Sequence, residues 1–223
     1  MTPPLLDSLE HTTGPAPTRS VIWLHGLGAD GHDFAPIVPE LNLAGLPDIR
    51  FVFPHAPIQP VTINGGMAMR AWYDILGTDL VKREDEAGIR ASQAHIEALI
   101  ARERLRGVAS QHIVLAGFSQ GCAMTLHTGL RHAEPLAGLV GLSGYLPRAE
   151  HLLTERAPAN LATPIFLAHG THDPVVPLAR AESSRARLQD AGHTVEWHTY
   201  PMPHSVHPQE IQDIAAFLRR VLA

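Results

Sequence analysis

Residues 111–127 read Gln111-His-Ile-Val-Leu-Ala-Gly-Phe-Ser119-Gln-Gly-Cys-Ala-Met-Thr-Leu-His127, and this stretch decides the fold. Its first half is a short apolar run rich in branched residues, the pattern of a buried strand. The run breaks at Gly117-Phe118-Ser119-Gln120-Gly121 and resumes as small and apolar residues of helical character. A G-x-S-x-G set between a strand and a helix predicts a nucleophile elbow. In so tight a turn only glycine tolerates the backbone approach on either side of the serine. The turn lifts the Ser119 hydroxyl above the sheet edge and puts the next backbone N–H at a helix start, where an anion is stabilised. Gly141-Leu-Ser143-Gly-Tyr145 lacks the second glycine at the required place and is the weaker candidate.

The rest of the chain keeps the same rhythm. Buried strands are expected at Ser20–Leu24, Ile49–Phe53, Leu136–Leu142 and Pro164–His169, with an alternating last strand at Thr194–Tyr200 and a short edge strand within 5–11. Helices are expected at Asp33–Leu41, Glu84–Arg106, Leu178–Ala191 and from Pro208 to the end. Glu84-Asp-Glu86 opens the second of these and Arg102, Arg104 and Arg106 close it, matching the macrodipole at both ends. Strand alternating with helix predicts a mostly parallel twisted sheet covered on both faces. At 223 residues the chain suits one domain, 1–223, with no insertion long enough for a separate lid domain.

Composition narrows the function. A net charge of −5 argues against a nucleic-acid partner, which would require a basic face. Cys122 is the single cysteine, which excludes an internal disulfide and reads as a packing residue. No apolar run reaches the length of a membrane span, and the first ten residues lack the basic flank and apolar core of a signal peptide, so a cytoplasmic location is expected. Of the 15 histidines, His169 and His172 with Asp173 could suggest metal ligation, yet H-E-x-x-H and paired-cysteine spacings are absent and no metal is expected.

A serine hydroxyl becomes a useful nucleophile when a base takes its proton, and a histidine base needs a carboxylate to fix its tautomer. With an elbow of this kind the chain order is Ser, then Asp or Glu, then His, each after a strand. Asp173 lies four residues beyond the strand end at His169, and His204 lies four beyond Tyr200, in the loop before the last helix. Glu155, Asp190, Asp213, His198 and His207 fit the placement less well. His25-Gly-Leu-Gly-Ala-Asp30, a glycine-rich loop after an early strand, fits the second oxyanion donor, by position the N–H of Leu27. Val61-Thr-Ile-Asn-Gly-Gly66 carries an Asn-Gly hairpin turn. The stretch after it holds Met67, Met69, Trp72 and Tyr73, which read either as a satellite hydrophobic cluster or as the wall of an open acyl groove. The groove reading makes Met69, Trp72 and Tyr73 candidate substrate contacts.

Taken jointly, His25-Gly-Leu-Gly28, Gly117-Phe-Ser-Gln-Gly121, Leu142-Ser-Gly-Tyr145, His169-Gly-Thr-His-Asp173-Pro-Val-Val-Pro177 and Met202-Pro-His204 resemble the phospholipase/carboxylesterase family of α/β-hydrolases. That family takes in small carboxylesterases and acyl-protein thioesterases. The resemblance runs from about Ser20 to the C-terminus. It implies the α/β-hydrolase fold, Ser119 as nucleophile, Asp173 and His204 as its partners, and the Leu27 and Gln120 N–H groups as the oxyanion hole. It implies no cofactor, and since some members are dimers it leaves a homodimer open. Residues 25–30 and 64–74 look more like the bacterial carboxylesterase branch. The resulting expectation is hydrolysis of short- to medium-chain carboxylic esters through an acyl-serine. Acyl-protein thioesterase or lysophospholipase activity on the same triad is the alternative, and a non-catalytic binding module is a third reading.

Overall fold

The computed structural model describes residues 3–77 and 84–223. The strands among these residues are β1 (Ser8–Thr12), β2 (Arg19–Leu24), β3 (Ile49–Pro54), β4 (Ile58–Val61), β5 (Met67–Arg70), β6 (Ile113–Phe118), β7 (Gly138–Leu142), β8 (Ile165–Gly170) and β9 (Val195–Tyr200). The α-helices are α1 (Ile37–Glu40), α2 (Glu86–Leu105), α3 (Gln120–Gly129), α4 (Leu152–Glu155), α5 (Leu178–Asp190) and α6 (Pro208–Leu222). The main sheet runs β1-β3-β2-β6-β7-β8-β9, and β4 and β5 make a separate hairpin. β1 is antiparallel, pairing Ser8 with Pro54 through Thr12 with Arg50, while the other six strands are parallel. This is the mostly parallel sheet of an α/β-hydrolase fold.

Alternation along the strands sends side chains into two cores. Ile22, Leu24, Ile113 and Leu115 join Ile89, Ile96, Leu99 and Ile100 of α2, Ala123 and Leu126 of α3, and Leu188 of α5. Val21, Trp23, Val114 and Ala116 face the other way, onto Ile37 and Val38 of α1 and Ile214, Phe217 and Leu218 of α6. Each aliphatic side chain so buried contributes roughly 1.5–3 kcal/mol, which is what pins both helical layers. Local signals set the helix ends. The Asp85 carboxylate accepts the Gly88 N–H at the start of α2, and Gly107 takes a φ of 92° beyond its end. α6 opens on a capping box between His207 and Glu210 with Pro208 in the first turn.

Two expectations change in detail. The helix foreseen over 33–41 shortens to the single turn of α1, with Asp33–Pro36 in turns. The 61–66 turn is a 3-10 turn over Thr62–Asn64 closed by Gly65 in the left-handed region. With the strands parallel, the loops after β2, β6, β8 and β9 all open at one sheet edge, and that edge carries the site.

Candidate active site

At the end of β6 the backbone turns through Ser119, which holds φ 55° and ψ −115°. A non-glycine residue in that region stores on the order of 1–3 kcal/mol of strain. The neighbours hold it there: the Ser119 N–H donates to Leu142 O at 2.8 Å, and its carbonyl accepts from Ala123 N at 3.1 Å. The flanking glycines interlock. A Cβ on Gly117 would lie 2.3 Å from Gly121 O, and one on Gly121 would lie 2.2 Å from Leu24 O. Backbone meets backbone at both places, so neither clash could be relieved by turning a side chain.

His204, in the loop between β9 and α6, bridges the other two groups. Its Nδ1 lies 2.6 Å from Asp173 Oδ2 and its Nε2 2.9 Å from Ser119 Oγ. A carboxylate only accepts, so Nδ1 carries the proton and Nε2 presents its lone pair to the serine hydroxyl. The Asp173 side chain is fully buried, and its Oδ1 accepts the Val175 and Val176 N–H groups at 2.8 and 2.9 Å. Two inter-loop bonds seat the Asp173 loop on the His204 loop: Thr171 N to Tyr200 O and His172 N to Met202 O. Gly170 is needed at this contact, since a Cβ there would stand 2.4 Å from Met202 O.

His169 has a role that the sequence reading did not assign. Fully buried, it donates from Nε2 to Val176 O at 2.8 Å and so supports the turn that holds Asp173. Burial lowers its pKa, which keeps it uncharged beside the carboxylate. The rival acids and bases have other tasks. Glu155 pairs with Arg90 and Arg131, Asp213 accepts from Tyr200 Oη, and His207 caps α6. His169, His172 and Asp173 do not form a ligand cluster. Among the described residues the metal-capable donors that converge, within 4.8 Å of one another, are Asp30, His32 and His55.

The loop after β2 lies against the nucleophile, since a Cβ on Gly26 would sit 3.4 Å from Ser119 Cβ. Neither the Leu27 nor the Gln120 N–H donates to an acceptor among the described residues. His25 anchors this loop from beneath, with Nδ1 donating to Gly26 O at 2.7 Å and Nε2 accepting the Ala56 N–H at 3.0 Å. That pattern requires a neutral ring, and burial takes its pKa down to about 4.

Trp72 and Tyr73 are not groove walls. Trp72 is 1% exposed and Tyr73 3%; the indole N–H donates to His25 O at 2.9 Å, and the Tyr73 and Tyr145 hydroxyls pair at 2.8 Å. The Gln120 side chain clamps both, accepting the Trp72 N–H at 2.8 Å and donating to Tyr73 O at 2.7 Å. This pair belongs to the packing that ties the elbow to the β2 loop. Met69 remains partly exposed beside Gly28, 3.7 Å from where its Cβ would stand. The open surface beside the triad is elsewhere, in a cleft of about 340 Å³ between α1 and the His204 loop.

A second Ser–His–acid contact exists and shows what such geometry lacks by itself. Ser110 Oγ lies 3.3 Å from His132 Nε2, whose Nδ1 is 2.6 Å from Glu97. Ser110 is buried in a 3-10 turn with ordinary backbone angles, without an elbow or facing glycine loop. Ser143, at φ 48°, is fully buried.

A half-buried serine hydroxyl on a strained strand-to-helix turn, aligned with a carboxylate-fixed imidazole, defines a serine hydrolase of the α/β-hydrolase fold. The chain belongs to the phospholipase/carboxylesterase family, whose model matches residues 11–222. It is similar to acyl-protein thioesterase 1 of Mycosarcoma maydis, 42% identical over 94% of both chains. Acyl-protein thioesterase 1 of Gibberella zeae is 40% identical over 92% of this chain and 91% of its own. Among solved structures, Arabidopsis thaliana SOBER1 superposes with a TM-score of 0.87 at 31% identity, covering 92% of this chain and 99% of that one.

Proposed function

We propose that the protein hydrolyses acyl thioesters, acting on S-acylated proteins, with Ser119 as nucleophile, His204 as general base and acid, and Asp173 as the group that orients His204. The observation that carries this reading is the single imidazole bonded at once to Ser119 Oγ (2.9 Å) and the buried Asp173 carboxylate (2.6 Å). The Ser119 oxygen attacks the acyl carbonyl as its proton passes to His204 Nε2. The Leu27 and Gln120 N–H groups receive the developing oxyanion, each donor typically worth about 2.7–4 kcal/mol. His204 gives its proton to the departing sulfur, and water cleaves the acyl-serine by the same steps in reverse order.

Thioesters stand ahead of the simple carboxylic esters expected from the sequence because the relatives at 40–42% identity are acyl-protein thioesterases. No helix among the described residues is long and apolar enough to cross a membrane, which fits a substrate met from the aqueous side. The proposed unit of function is one domain spanning 1–223, without cofactor. The test is parallel turnover of an octanoyl-S-cysteinyl peptide and its O-seryl counterpart. Thiol release with the larger kcat/KM supports the reading, and turnover of the oxygen ester alone refutes it.

A further inference from the structure

The cleft beside His204 is not used by the mechanism above, and its chemistry is specific. Its floor is apolar, with Phe34 and Ile37 from one side and Phe118 and Ile211 from the other. The Phe34 and Phe118 rings stand 5.5 Å apart, and Phe118 lies 4.7 Å from the His204 ring. The rim carries two exposed carboxylates, Asp33 and Glu40, and no arginine or lysine lines the cleft among the described residues.

Position decides which end of the substrate this cleft meets. A general acid must reach the leaving atom as the bond to it breaks, so that atom lies against the Nε2 edge of the His204 ring. The cleft is walled by His204 itself, together with Ser205 and Val206 that follow it. A leaving group that continues past His204 on this side enters a trough with an apolar, aromatic bottom and an acidic lip. An aliphatic stem can cover the floor while a cation reaches the carboxylates, and a ring face adds to the attraction for a cation.

Resting on the thioesterase reading, we propose that this cleft is the subsite for the peptide carrying the acylated cysteine, and that it selects a lysine or arginine beside that cysteine. Asp33 and Glu40 are then specificity-determining residues, acting on KM more than on kcat because they bind a part of the substrate remote from the bond that breaks.

The test compares two octanoyl-S-cysteinyl peptides that differ only in a lysine or a glutamate next to the acylated residue. The wild type should favour the lysine peptide by about three- to tenfold in kcat/KM at low ionic strength, the range expected of two exposed charge pairs, and the margin should shrink in 0.5 M salt. The ratio is internal to each enzyme, so a general change in activity does not enter it. Asp33→Asn with Glu40→Gln should bring the ratio to about one, and Asp33→Lys with Glu40→Lys should invert it. Equal wild-type rates on the two peptides, or a preference that survives in the neutral double variant, overturn the subsite while leaving the thioesterase reading intact. Discrimination seen only with a choline-bearing lysophospholipid overturns the peptide as occupant. Failure to hydrolyse either peptide, or an uncharged acyl thioester, removes both readings.

Discussion

Exchanging Trp72 for phenylalanine separates the two roles that a large aromatic residue could have near the elbow. The indole N–H is the donor to His25 O at 2.9 Å, and the side chain is 1% exposed. Phenylalanine keeps most of the ring and removes that donor, leaving a buried carbonyl without its partner, at roughly 1–3 kcal/mol. Alanine removes the ring as well, and lost packing and cavity together cost about 3–5 kcal/mol, a large share of a total stability of order 5–15 kcal/mol. Because His25 heads the loop that carries Leu27, slackening there should lower turnover of every acyl substrate by a similar factor. Urea unfolding measures the stability, and kcat/KM for acetyl and octanoyl thioesters measures the rest. An unchanged urea midpoint in Trp72→Phe would refute the anchoring role. A loss confined to the octanoyl substrate would restore the groove-wall reading of Trp72.

Ser119→Ala should abolish turnover and leave the fold intact, and a phosphonate should label the wild type once, on the Ser119 peptide; label on Ser110 or Ser143 would displace the assignment. Asp173→Asn should lower kcat by several orders of magnitude, on the order of 10⁴ in the best-measured triad, and a variant with most of its rate would mean that another carboxylate orients His204. Stability should fall on the acid side, because His25 is held to about 4 against an ordinary 6.5 and the unfolded chain binds the extra proton between those values. That contribution is fully present above pH 6.5, is lost as pH falls towards 4, and amounts to roughly 3 kcal/mol; urea midpoints across pH 4–7 measure it, and His25→Asn should flatten the slope. Glu210 acts in the opposite sense: burial pushes its carboxyl up to about 7, so its share is lost as pH rises from 4.5 through 7, and Glu210→Gln should remove that decline.

The parts of this molecule that could be read from the sequence are those written by local rules. The elbow is spelled in five consecutive residues, and the strands that precede Asp173 and His204 announce themselves, the first as an apolar run and the second by alternation, each ending at a glycine or proline loop. The charges at the two ends of α2 and the turn at residues 61–66 are equally local. The segment at 72–73 leaves two readings open in the sequence because its fate depends on Gln120, 48 residues away from Trp72 in the chain, whose amide satisfies the backbone there. Nothing in the composition of residues 67–74 distinguishes an aromatic facing a groove from one pinned by a distant amide. His169 escaped for a similar reason, since its partner is a backbone carbonyl and carries no residue-type signal. The cleft beside His204 joins residues 33–40, 118 and 204–211, which only the folded sheet brings together.

Cys122 lies one turn into α3, 2% exposed, with its sulfur against the backbone of Gly144, and burial pushes its thiol up to about 12. Thiolate is the form that reacts with disulfides, maleimides and peroxides, so at neutral pH this sulfur is both protonated and out of reach. A chain with this as its single cysteine can therefore sit in a cuvette with a thiol-detecting disulfide dye without consuming it. Each sulfur that appears must then come from cleaved substrate, so thioester cleavage can be followed continuously with the native protein. The same shielding leaves the enzyme indifferent to the redox potential of its buffer.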